Sequence, residues 1–164
     1  MADFLPEVLT FPDFQADVNE EVVLGNVSRA LSSARAVGGL LSVSKWWIRR
    51  SPVGGVEAKV AVIYREFPVG IIELSPVDGR PLPCGFYPRI PELVATEDML
   101  SESVKLLSGG LRVVEAVEYR EREMSFAVPI AFKTLMVSHL NIYYDGVHVL
   151  PDYLIMQEMK LFEV

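Results

Sequence analysis

The stretch LLSVSKWWIRRSPVGGVEAKVAVIYREF, residues 40–67, decides how the rest of the chain is read. Two runs rich in Val, Ile and Trp flank Ser-Pro-Val-Gly-Gly at 51–55. Proline presets φ and glycine accepts positive φ, so these five residues spell a turn. The runs 40–50 and 56–67 therefore fold back on each other as an antiparallel hairpin centred near Val53. Side chains alternate across a strand. One face carries Ser44, Trp46, Ile48, Ala58, Val60 and Val62 and is expected to enter the core. The other carries Lys45, Trp47, Arg49, Glu57, Lys59 and Arg65 and is expected to face solvent. In that register Trp47 stands opposite Lys59 and Arg49 opposite Glu57.

A tryptophan pointing outward among cations has three chemical readings. An indole stacks on any nucleic acid base for roughly 1–3 kcal/mol, and cations neutralise phosphate, so Lys45, Trp47, Arg49, Lys59 and Arg65 form a candidate single-stranded nucleic acid platform. Ordinary sheet chemistry is the second: Lys59 covers the indole and Arg49 pairs with Glu57. In the third, Trp47 anchors a protein partner.

Composition narrows the choice. The 164 residues carry a formal net charge of −7, a long-range field that opposes polyanions. A nucleic acid binder would need a local basic patch to overcome it, and the face in question holds no second aromatic. With 51% hydrophobic residues the chain is not disordered, and it is long enough for one core, so a single domain over 1–164 is expected. Its positive mean hydropathy has two available sources: a valine-rich sheet interior, or an apolar surface covered by a partner. The single cysteine, Cys84, excludes an intrachain disulfide and a cysteine-cluster metal site, and suits a reducing compartment. No apolar run reaches the ~20 residues of a membrane helix, and the start MADFLPEVLT lacks the basic opening of a secretory signal. A cytoplasmic protein without membrane contact is expected. Scarce Gln, Asn and Cys beside abundant Glu and Arg hint at a thermophilic source.

Around the hairpin, residues 1–16 read as an irregular arm, broken by Pro6 and Pro12 and pinned by Phe4, Leu5, Phe11 and Phe14. Asp17 with Glu20 forms a capping box that opens a helix over about 18–37, closed by Gly38-Gly39. After the hairpin, PVG at 68–70 reads as a second turn before a strand at 71–74, which completes a meander over 40–75. Residues 80–92 carry four prolines and read as a surface crossover. Thr96 caps a second helix, about 97–108, with Glu97 and Asp98 in its first turn. Strands follow at 111–123 and 124–132; Pro129 marks the latter as an edge or a bulged strand. Asp145-Gly146 spells a type I′ turn within 140–150. Residues 151–160 form a short terminal helix with Leu154, Ile155 and Met159 inward. The fold class is α+β: a largely antiparallel sheet, from the meander 40–75 and strands 111–150, with two main helices packed on it.

No catalytic signature emerges. His139, Asp145, His148 and Asp152 have metal-ligand chemistry but no recognised spacing, so neither a metal nor another cofactor is expected. Cys84 has no histidine near it in sequence, no serine sits in a G-x-S-x-G elbow, and no glycine-rich phosphate loop is present. The expected function is that of a non-enzymatic interaction protein or assembly subunit, self-associating through the apolar run 124–137. Single-stranded nucleic acid binding is the alternative, and a metal-assisted enzyme using His139 and His148 is the third.

Overall fold

The computed structural model describes residues 5–14 and 18–164. In chain order the elements are β1 (Glu7–Val8), α1 (Glu20–Gly38), β2 (Ser42–Val43), β3 (Trp47–Arg50), β4 (Val56–Tyr64), β5 (Phe67–Leu74), α2 (Glu97–Ser108), β6 (Leu111–Val113), β7 (Glu118–Arg120), β8 (Ser125–Phe132), β9 (Leu135–Tyr143), β10 (His148–Val149) and α3 (Tyr153–Leu161). The fold is α+β, with strand pairing antiparallel throughout except between β1 and β10. No helix among the described residues is long and apolar enough to cross a membrane.

Two sheets replace the single one expected. The first runs β1-β10-β9-β8-β6, with β7 also on β8; the second runs β2-β4-β3, with β5 on the other side of β4. Their inner faces share one core, which holds Val60, Val62 and Ile72 from one sheet and Phe126, Ile130 and Leu140 from the other. Ala34 of α1 and Leu100 of α2 join the same cluster. The sheets touch at Gly70 of β5, where a Cβ would stand 2.7 Å from the Ser138 hydroxyl and 3.0 Å from the His139 carbonyl oxygen. Only a glycine lets these backbones approach so closely.

Local signals place the helices well. The Thr96 hydroxyl accepts the Met99 N–H, and α2 spans the expected residues. The cap of α1 is Asn19, whose side chain accepts the Val22 N–H; Asp17, the expected cap, lies outside the described residues, as does Phe4. Asp152 caps α3 by accepting the Ile155 N–H. Of the three α3 residues expected inward, Ile155 is buried and Met159 packs beside it, but Leu154 is 78% exposed.

The turns required correction. The β4–β5 hairpin reverses at Arg65-Glu66, both with positive φ, and not at 68–70. Pro68 fits inside β5 because that strand pairs with β4 on one side only. The run 40–50 is split. Ser44, expected in the core, bridges the break between β2 and β3 by accepting the Ala61 N–H on its hydroxyl. At 144–147 only Gly146 has positive φ, so the turn is not type I′; the Asp145 carboxylate instead holds the Val147 and His148 N–H groups. The N-terminal arm contains β1 and is held by the Tyr64 hydroxyl donating to the Pro6 carbonyl at 2.6 Å, whereas Phe11 is 92% exposed.

The run 124–137 is largely interior to the fold, with Lys133, Thr134 and Met136 exposed around the β8–β9 turn. It supplies β8, which pairs with β9, β6 and β7, and Phe126, Val128 and Ile130 are fully buried within the one chain. Its apolar character is explained by that position and no longer argues for a dimer face. Pro129 is accommodated at a gap: its carbonyl accepts the Val114 N–H, so its missing donor points to where β6 has ended and β7 has not begun.

Candidate functional site

The register of the opening hairpin is as read from sequence: Trp47 pairs with Lys59 and Arg49 with Glu57. Alternation also holds, with Trp46 and Ile48 packed against the main core and Trp47 on the opposite face. That opposite face is not solvated. α3 lies over it, and Trp47, 4% exposed, packs with Ala61 and Ile155. The helix brings a carboxylate with it. Glu158 accepts the Trp47 indole N–H at 3.0 Å and the Arg49 guanidinium at 3.2 Å. Lys59 sits between carboxylates, its Nζ 3.1 Å from Glu57 and 3.3 Å from Glu158. Arg49 also donates to Glu57 at 2.9 Å.

Of the five residues proposed from sequence, Trp47, Arg49 and Lys59 come together in this network. Lys45 is exposed in the break between β2 and β3, and Arg65 is exposed at the β4–β5 turn, 5.8 Å above the Tyr64 ring. The contiguous basic surface expected from the alternation is therefore a mixed-charge cluster beneath a helix, and Trp47 has no open face on which a base could stack.

Glu73 completes the cluster. It pairs with Lys59 across β4 and β5, yet its carboxylate lies 3.9 Å from Nζ, farther than Glu57 or Glu158. Both cations are thus engaged by two carboxylates, and the third is left without one at hydrogen-bonding distance. The electrostatics follow. Burial raises the Glu73 carboxyl to about 7; against it the charge of Lys59 pulls the value down, Glu57 and Glu158 push it up, and Arg49 pulls it down least. Burial pushes Glu57 upward too, but its hydrogen bonds and charge contacts with Lys59 and Arg49 win and hold it below the ordinary range. Two neighbouring carboxyls are thus driven apart, one ionised and one able to take or give a proton near neutrality.

A cleft of about 410 Å³ opens onto these carboxyls, lined by Glu57, Glu73, Val53, Pro76, Tyr87 and Arg89. Its wall is the proline-rich crossover. After β5 that segment doubles back, with the Leu82 N–H donating to the Glu73 carbonyl and the Val56 N–H to the Ile90 carbonyl. Apart from one antiparallel bridge between Pro81 and Leu74, the proline-broken crossover forms no strand and stands beside the β4–β5 ends as a wall. Tyr87 and Val53 are 65% and 72% exposed on the rim. Sequence reasoning missed Glu73, Glu158, Tyr87 and Arg89. One signal was present: a lone glutamate in FPVGIIEL, on the same face as Ile71, is a polar group placed where the alternation asks for burial.

The histidines lie elsewhere. Cys84 Sγ is 3.4 Å from His139 Nδ1, although 55 residues separate them. Burial raises the thiol, and burial with the charge of Arg120 lowers the imidazole, so the pair favours the neutral form and not a thiolate–imidazolium nucleophile. His148 pairs with Asp145, and Asp152 caps α3. Among the described residues no group of three or more His, Cys, Asp or Glu is placed to hold a metal ion.

No protein-family model, curated protein or solved structure matches the chain.

Proposed function

We propose that the protein is a non-enzymatic interaction protein that docks a partner protein at the cleft between the β4–β5 ends and the crossover 80–92. The observation that carries this reading is the combination of an apolar, exposed rim at Val53 and Tyr87 with a polar floor at Glu57 and Glu73. Recognition sites are concave, mostly apolar and orient their ligand through a few converging polar groups. The partner is a different chain: a second copy would bring a net charge of −7 to a cleft floored by carboxyls.

Selection of a random peptide library against the immobilised protein tests the reading. Enriched peptides are expected to shift the amide resonances of Gly54, Glu73 and Tyr87 and to lose binding to the double variant Val53→Asp, Tyr87→Ala. Enriched peptides that bind that variant undiminished, or no enrichment at all, would overturn it.

A further inference from the structure

Resting on that docking site, we infer that the group entering the cleft is the side chain of a lysine or arginine carried by the partner protein, pairing with Glu73. Three carboxylates and two cations form the cluster, and the distances show how they are matched. Lys59 lies at 3.1 Å and 3.3 Å from Glu57 and Glu158, and Arg49 at 2.9 Å and 3.2 Å from the same two. Glu73 is left at 3.9 Å from the nearest ammonium, with 14% of its side chain exposed, on the cleft floor. A cation delivered through the cleft completes the count. A charge-assisted hydrogen bond is about twice as strong as a neutral one. Tyr87 lines the same cleft, and a tyrosine ring attracts a cation placed over its face.

The groups facing Glu73 set the sign of its response. Glu57 and Lys59 come from β4, Arg49 from β3, Glu158 from α3, and Tyr87 with Arg89 from the crossover. Arg89 lines the cleft but lies beyond ion-pair distance of Glu73, and it is exposed. The arriving cation pairs with the ionised carboxyl. With Glu73 near 7, the ionised fraction grows about tenfold between pH 6 and pH 8, and affinity should grow with it. A side chain is favoured over a free amine because Val53 and Tyr87 leave exposed apolar surface on the cleft rim, where flanking residues of a segment would lie.

The experiment uses three capped peptides, acetyl-Leu-Lys-Leu-amide, acetyl-Leu-Arg-Leu-amide and acetyl-Leu-norleucine-Leu-amide, with n-butylamine as a fourth probe. Each is titrated to millimolar concentration against the full chain while amide resonances are followed at pH 6 and pH 8. The charged peptides are expected to shift Gly54, Glu73 and Tyr87, about tenfold more tightly at pH 8, and to lose that pH response in Glu73→Gln. If norleucine binds the same residues as well as lysine, docking at the cleft stands and the cationic occupant is refuted. If n-butylamine binds as tightly as the lysine peptide, the site belongs to a small amine and the inference also falls. Silence of every probe at the cleft overturns the inference and the docking reading together.

Discussion

Glu158 on α3 accepts the indole N–H of Trp47 on β3 at 3.0 Å, across 111 residues of chain. That bond ties the terminal helix to the outer face of the second sheet and places a carboxylate where Lys59 and Arg49 need one. It also converts a tryptophan that reads as a surface group into part of a small second core with Ala61 and Ile155.

Lys59 is the centre of this arrangement. Buried ion pairs are weak evidence for stability, but removal of one member leaves its partners as uncompensated charges. Lys59→Met is expected to destabilise the protein by about 3–5 kcal/mol in urea unfolding at pH 7.5. Adding Glu158→Gln should recover part of that loss, because Glu57 then still pairs with Arg49. A loss of only ~0.5 kcal/mol for the single substitution would class the network with solvated surface pairs and refute its burial.

Glu73 contributes to stability with the opposite sign to Glu57. Its folded value, about 7, lies above the ordinary 4.5, so the folded state binds the proton more tightly than the unfolded chain does. The resulting stabilisation is present below pH 4.5 and is lost as pH rises through 7. Glu73→Gln removes that dependence. The variant should gain about 3 kcal/mol on the parent at pH 8 relative to pH 4.5, slightly less than the full difference between 4.5 and about 7 at about 1.4 kcal/mol per pH unit, because titration has begun at pH 4.5 and is not complete at pH 8. Equal differences between the two proteins at both pH values would show that Glu73 titrates normally.

The covering of Trp47 by α3 is measurable by fluorescence. In a Trp46→Phe background the remaining indole should emit at short wavelength and resist acrylamide. Ile155→Ala should cost about 2–3 kcal/mol and raise quenching, because it opens the contact that seals the ring. The unaltered indole should also be indifferent to a single-stranded oligonucleotide at low salt. Quenching by the oligonucleotide that fades steeply with added salt would revive the nucleic acid reading.

The Cys84–His139 pair should behave as a neutral thiol beside a neutral imidazole. Its alkylation by iodoacetamide at pH 7 is expected to be slower than that of a free cysteine, with a rate midpoint above that of a free thiol because burial raises it. A midpoint near neutrality would instead mark an activated nucleophile and reopen a catalytic assignment.

Much of this was legible one element at a time. Thr96 marked the start of α2 because a cap is a contact over three residues. The 47/59 and 49/57 pairings followed from the turn at 51–55, since a hairpin's register is set by its own loop. The errors arose where two local rules competed. Pro68 and Gly70 look like a turn, but Arg65 and Glu66 accept left-handed φ, and Gly70 is required for the close crossing with β9. Residues 124–137 look like an interface because a strand buried by other strands has the same composition as one buried by a partner.

From its sequence alone the protein is α+β, with α2 and the Trp47 hairpin in place, because period-two alternation, helix caps and turn residues act over a few positions. Tertiary structure alone decided that the outer face of that hairpin is roofed by α3, that Glu73 is short of a cation, and that the crossover 80–92 walls a cleft. Alternation separates two faces of a strand but does not say what lies against either. Ala61, Ile63 and Ile71, apolar on the supposedly wet side, carried the hint, and only the return of the chain some hundred residues later supplied the helix that covers them.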